Sequence, residues 1–167
     1  MPRTYRFYDD MAKLILGERV GQQGKLAVGC SASVMDETGE RMLLIKRADN
    51  GRWAVPGGYM EPGENFSEAC EREVLEETGL KVAVERLIAI YTNPDALLVY
   101  SDGNKWQLVV LHFAARKVAE VGESDGEVTA VSYFTHPETQ QLEMEPLDRQ
   151  RVADGFAGKT AVFIRNE

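Results

Sequence analysis

The sequence predicts an α/β fold in which a mixed β-sheet lies between helical layers. Three observations lead there. Strand-like apolar runs lie on both sides of one central, glutamate-rich helix. A second helical segment lies towards the end of the chain. No repeat, linker or low-complexity tract divides the 167 residues, so one domain is expected over 1–167. Strands flanking a central helix bury their faces most economically as stacked layers.

The elements follow in order. Residues 1–25 form a lead segment, within which 5–16 fits either a strand or a short helix. Leu26 to Met35 and Arg41 to Arg47 read as strands, and Asp36-Glu37-Thr38-Gly39 between them predicts a hairpin. Arg52 to Gly58 reads as a short strand ending in a turn. Pro56 fixes φ there, and two glycines let the chain bend or approach a ligand closely. The Glu-rich helix comes next, with Asn65 or Ser67 as its cap and Gly79 just past its end. Val82 to Tyr91 is a strand. Leu97 to Tyr100 and Trp106 to Val118 flank a second hairpin signal, Ser101-Asp102-Gly103-Asn104. Thr129 to Phe134 is a further strand. Residues 137–167 hold a helix from Pro137 to Phe156 and a tail in which Ala161 to Ile164 is apolar.

The central helix carries the functional signal. An α-helix turns roughly 100° per residue. With Glu73 at zero, Glu77 lies at about +40° and Glu76 at about −60°. The i, i+3, i+4 spacing therefore puts three carboxylates on one face. Phe66, Ala69, Cys70 and Leu80 share that face, so the acids point with the apolar stripe towards the protein body. Like charges there repel and lose hydration. Arg72, at about −100°, lies only on the flank. Hard oxygen donors that leave room for phosphate suit Mg²⁺, or Mn²⁺ in its place. A plain acidic helix would present its charges to solvent instead.

Gly58, Glu64, Arg72, Glu73, Val74, Glu76, Glu77, Gly79 and Leu80 fit the pattern G-x5-E-x7-R-E-U-x-E-E-x-G-U, with U aliphatic. This resembles the Nudix hydrolase family, most strongly over 26–135. The resemblance implies an α/β/α sandwich and a Mg²⁺-dependent pyrophosphohydrolase. It implies metal ligands at Glu73, Glu76 and Glu77, with the carbonyl of Gly57 joining them. Glu64 and Arg72 are expected as a charged pair behind the ligands. In relatives a loop carboxylate after the long central strand acts as a further ligand or general base. Glu127 is the candidate here and Glu123 the second, which leaves Glu73, Glu76 and Glu127 as possible catalytic groups.

Other positions bear on substrate. Arg47 and Arg52 flank the site-side strands and suit bidentate phosphate binding, although each also fits a plain surface arginine. Trp53, Tyr91, Tyr100 and Trp106 are candidates to stack on a base or to fill the core. His112 and His136 have no ligand spacing and read as structural. Pro94, 15 residues after Gly79, resembles a spacing of ADP-ribose pyrophosphatases. The expected partner is a small nucleoside diphosphate derivative, ADP-ribose or a nucleotide sugar. The alternatives are a nucleoside triphosphate substrate or a non-catalytic sensor domain. An isoprenoid diphosphate isomerase would need a catalytic cysteine in an apolar pocket, and Cys70 lies inside the helix.

Composition narrows the classes further. A net charge of −8 argues against nucleic acid as a partner. Two cysteines in apolar or helical contexts predict free buried thiols. Residues 1–10 lack a signal-like apolar run, and no stretch has the ~20 apolar residues of a membrane span. A cytoplasmic protein is expected, and the resemblance adds a homodimer.

Overall fold

The computed structural model describes residues 13–166. Its elements in chain order are β1 (Lys13–Leu16), β2 (Lys25–Val34), β3 (Arg41–Arg47), β4 (Trp53–Ala54), β5 (Gly57–Tyr59) and α1 (Phe66–Thr78). There follow β6 (Leu80–Thr92), β7 (Ala96–Val99), β8 (Lys105–Glu120), β9 (Val128–Thr135), α2 (His136–Thr139), α3 (Pro146–Phe156) and β10 (Phe163–Arg165). The ambiguous lead segment is strand over 13–16, and its residues 5–12 lie outside the described part.

The 16-residue β8 is the spine of a mixed sheet. β2 runs parallel along one side of it, from Lys25 opposite Trp106 to Val34 opposite Ala115. The antiparallel β6 runs along the other side. β7 closes the predicted hairpin with Leu98 opposite Trp106, and β1 pairs with β7. β5 extends the sheet beyond β2, and β10 runs parallel to β6. The apolar run Ala161 to Ile164 thus ends in a strand, which takes in Phe163 and Ile164 but not Ala161 and Val162. A second antiparallel sheet has the order β4-β3-β9.

Alternation decides which layer each strand face meets. Cys30, Ala32 and Val34 face α1 and pack with Ala69, Cys70, Val74, Phe113 and Ala115. The opposite face carries Ala89, Tyr91 and Val110, against which Leu147 of α3 packs. Val152 of α3 packs on Met42, Leu44 and Val55 beside the second sheet. Helices on both faces make the expected sandwich. Cys30 and Cys70 are free and buried. Among the described residues no helix is long and apolar enough to cross a membrane.

Two expectations are corrected. Leu26–Met35 and Arg41–Arg47 do not pair as a ladder. The turn forms, with the Asp36 N–H donating to the Arg41 carbonyl at 2.8 Å, but only the Met35–Met42 bridge continues it. β2 is buried on both faces from Gly29 onwards, so it takes two neighbours in the large sheet while β3 leaves for the other. The tail is not one helix from Pro137 to Phe156. α2 ends at Thr139 and α3 starts at Pro146. Pro146 forces Glu145 into extended backbone (ψ 150), and Met144 bridges to Trp53 instead.

Candidate active site

α1 begins at Asn65, whose side chain accepts from the Glu68 N–H while the Glu68 carboxylate accepts from the Asn65 N–H. This capping box fixes where the helix starts. The helix ends at Gly79, whose φ of 71° suits glycine and whose N–H donates to the Leu75 carbonyl. Between these ends Ala69, Cys70, Glu73, Val74 and Glu77 are buried as expected, but Phe66 in the first turn is exposed and Glu76 is only partly buried, so two members of the expected inward face reach solvent.

The carboxylates meet the glycine turn. The Gly57 N–H donates to Glu77 Oε2 at 2.8 Å. Glu73 is 1% exposed, and its carboxylate lies against Gly58. A Cβ on Gly58 would come within 2.6 Å of both carboxyl oxygens, so any larger residue there would displace the Glu73 carboxylate. Arg72 reaches further than its helical angle suggested. It donates to Glu64 at 2.6 and 2.9 Å, to Glu73 at 2.7 Å and to the Tyr59 carbonyl at 3.0 Å, and it lies 3.5 Å from Glu76. The hydrogen bond from Arg72 holds Glu64 below its usual carboxylate range, and Glu64 in turn raises Arg72. One guanidinium therefore ties the helix to the turn.

The donor set suits a hard divalent cation in kind: all oxygen, with three carboxylates around the Arg72 guanidinium and a fourth, Glu77, held by the Gly57 N–H. Among the described residues, no three acidic, histidine or cysteine side chains are gathered closely enough to hold a metal ion, so Glu73, Glu76 and Glu77 do not meet at one point. Mg²⁺ characteristically takes one or two carboxylates and completes its shell with water and substrate phosphate, so an open set fits it.

The loop carrying Glu123 and Glu127 docks on the end of α1. The Asp125 N–H donates to the Glu76 carbonyl at 2.8 Å, and the Ala48 N–H donates to the Glu127 carbonyl at 2.9 Å. Glu127 itself is exposed. The arginines lie elsewhere. Arg47 is buried and paired with Asp49, and the more exposed Arg52 pairs with Glu145.

A cavity of about 740 Å³ opens on the α3 side. Leu14, Leu98, Trp106 and Leu108 form its apolar sheet wall. Arg47, Asp49, Asp148 and Arg151 bring charge from the β3 end and α3. Trp106 and Tyr91 thus meet the cavity. Trp53 packs edge-on against Phe134, and Tyr100 is buried with its hydroxyl 2.7 Å from that of Tyr59. Pro94 accepts at its carbonyl from Gly21. His112 is fully buried between Ser31 and Ser33, and His136 stacks on Phe156. The sequence reading missed Asp148 and Arg151. Their i, i+3 spacing, with Val152 beside Arg151 on the same side, is the signal already used for α1, present again on α3.

The NUDIX domain profile matches residues 25–155. A MutT-like protein of Streptomyces ambofaciens is 36% identical over 115 residues, covering 69% of this chain and 68% of that one. An ADP-ribose pyrophosphatase of Methanocaldococcus jannaschii is 47% identical over 62 residues, covering 35% of this chain and 37% of that protein. A NUDIX hydrolase structure from Nitrosomonas europaea superposes with a TM-score of 0.65 at 28% identity, covering 80% of this chain and 90% of that one.

Proposed function

The chain belongs to the NUDIX family, whose members are pyrophosphatases acting on phosphorus-containing anhydrides, and from that premise we propose that it hydrolyses a nucleoside-diphosphate-linked substrate with Mg²⁺ at the α1 carboxylates. The substrate is of the ADP-ribose or nucleotide-sugar type. The observation that carries the reaction is the inward set of Glu73 and Glu77 against the Pro56-Gly57-Gly58 turn. The likeness to the Methanocaldococcus protein, confined to 62 residues, favours the substrate type. So does a cavity with one apolar wall for a base and one charged wall for phosphates.

Mg²⁺, when bound, neutralises charge on the diphosphate and lowers the pKa of a water bound to it. The chain does the rest. Arg72 fixes Glu73 and Glu64, and the Gly57 N–H fixes Glu77. Glu76, with a side chain 34% exposed, faces the open side. One of Glu73, Glu76 and Glu127 takes the proton of the attacking water. Arg47 exchanges part of its pairing with Asp49 for a phosphate oxygen.

A hydrolysis panel with chromatographic product analysis tests this. It contains ADP-ribose, nucleotide sugars, dinucleoside polyphosphates and nucleoside triphosphates. The expected result is cleavage of a diphosphate-linked member to a nucleoside monophosphate and a second phosphorylated product, abolished by chelator and restored by Mg²⁺. Turnover confined to nucleoside triphosphates would overturn the substrate assignment. Ligand binding with no cleavage of any member would replace the enzyme by a sensor domain.

A further inference from the structure

The turn from Val55 to Gly58 is gripped from two sides. The Val55 N–H donates to Asp148 Oδ1 at 3.3 Å, and the Gly57 N–H donates to Glu77 Oε2 at 2.8 Å. Pro56 between them has no N–H, and its carbonyl accepts from Ala32 at 3.0 Å. Asp148 is on α3, is 1% exposed and lines the cavity. The Arg151 guanidinium lies 3.7 Å from it. A buried ion pair is weak ground for stability, because desolvation offsets much of the attraction. The hydrogen bond of Asp148 to Val55, the residue before Pro56, points to a different role.

We propose that Asp148 is a positioning residue for the catalytic helix, resting on the hydrolase reading above. It holds the Val55–Gly57 segment so that the Gly57 N–H meets Glu77 and sets that carboxylate for the cation. Pro56 fixes one of the backbone torsions between the two flanking N–H groups, so a shift at Val55 is passed on to Gly57 more directly than through a freely rotating residue. Freeing Val55 lets Gly57 drift, and Glu77 loses a charge-assisted hydrogen bond that orients it. Arg151 supplies the counter-charge that keeps Asp148 directed at the turn.

The test is Mn²⁺ binding to the substrate-free protein, measured by electron paramagnetic resonance with the Tm of each variant alongside. Asp148→Ala is expected to weaken Mn²⁺ binding about 10-fold, the scale for losing a partner that orients a ligand, and to lower kcat more than it alters KM. Asp148→Asn, whose side-chain carbonyl still accepts from Val55, recovers most of that affinity. Should Asp148→Ala not fold, Asp148→Glu decides. It keeps the charge beside Arg151 but moves the acceptor by one methylene, and the same weakening is expected. A folded Asp148→Ala or Asp148→Glu protein with wild-type Mn²⁺ affinity overturns the proposal, whatever its Tm. Glu77→Gln separates the two levels. If it binds Mn²⁺ poorly while the Asp148 variants bind normally, only the positioning role falls. If the wild type binds no better than Glu77→Gln, the cation site and the proposal fall together.

Discussion

His112 shows how a residue with the chemistry of a catalyst can be purely structural. Its Nδ1 and Nε2 each lie 2.8 Å from a serine oxygen, of Ser31 and Ser33, deep between β2 and α3. Burial, aided by the charge of Arg151, pushes its pKa down to about 3 from the ordinary 6.5. The native imidazole is therefore neutral, and as the pH falls below 6.5 the unfolded chain takes the proton first. Stability is full above that point and declines towards pH 3, by at most about 1.4 kcal/mol per pH unit from this group. Denaturant unfolding of wild type and His112→Asn between pH 7 and 4 checks this. The stability gap between them is expected to shrink as the pH falls; a constant gap contradicts it. Cys30 and Cys70 are inert for a related reason. Burial raises both thiols, Cys30 to about 12, which suppresses the thiolate. At this scale the sequence was legible where spacing alone decides, as for Glu73 and Glu77. It was not where reach decides: a helical angle left Arg72 on the flank, yet its long side chain bends back to Glu64, Glu73 and Tyr59.

Elements were legible where the signal is local. The cap of α1 is one such case, and it places all three glutamates by setting the helix start. Asn65→Ala removes the acceptor for the Glu68 N–H and is expected to lower stability by about 1 kcal/mol, read as a drop in the denaturant midpoint at unchanged m-value. A variant as stable as wild type contradicts the role of the cap. The turn at Asp36–Gly39 and the β7–β8 hairpin were also local. The partner of β2 was not. Choosing β8 over β3 follows from burial of both its faces, which depends on layers far apart in the chain. The break before Pro146 was written in the sequence, because a residue before proline leaves the helical region.

On the scale of the whole molecule, the carboxylate cluster comes from one contiguous stretch, residues 57–77. The cavity is assembled from residues between Leu14 and Arg151. That contrast explains why the reaction type could be read early and the substrate pocket could not. The Val55–Gly58 turn joins the two, with α1 on one side and α3 on the other. The proposed reaction requires that Glu77 and its neighbours hold the cation which activates hydrolysis. Mg²⁺-dependent turnover of Glu77→Gln, with circular dichroism to confirm the fold, tests it most directly. The expected result is a folded protein with turnover lower by roughly 100-fold or more, the upper end of losses seen even for groups that only orient metal ligands. Near-normal Mg²⁺-dependent turnover in that variant would show that Glu77 does not hold the cation.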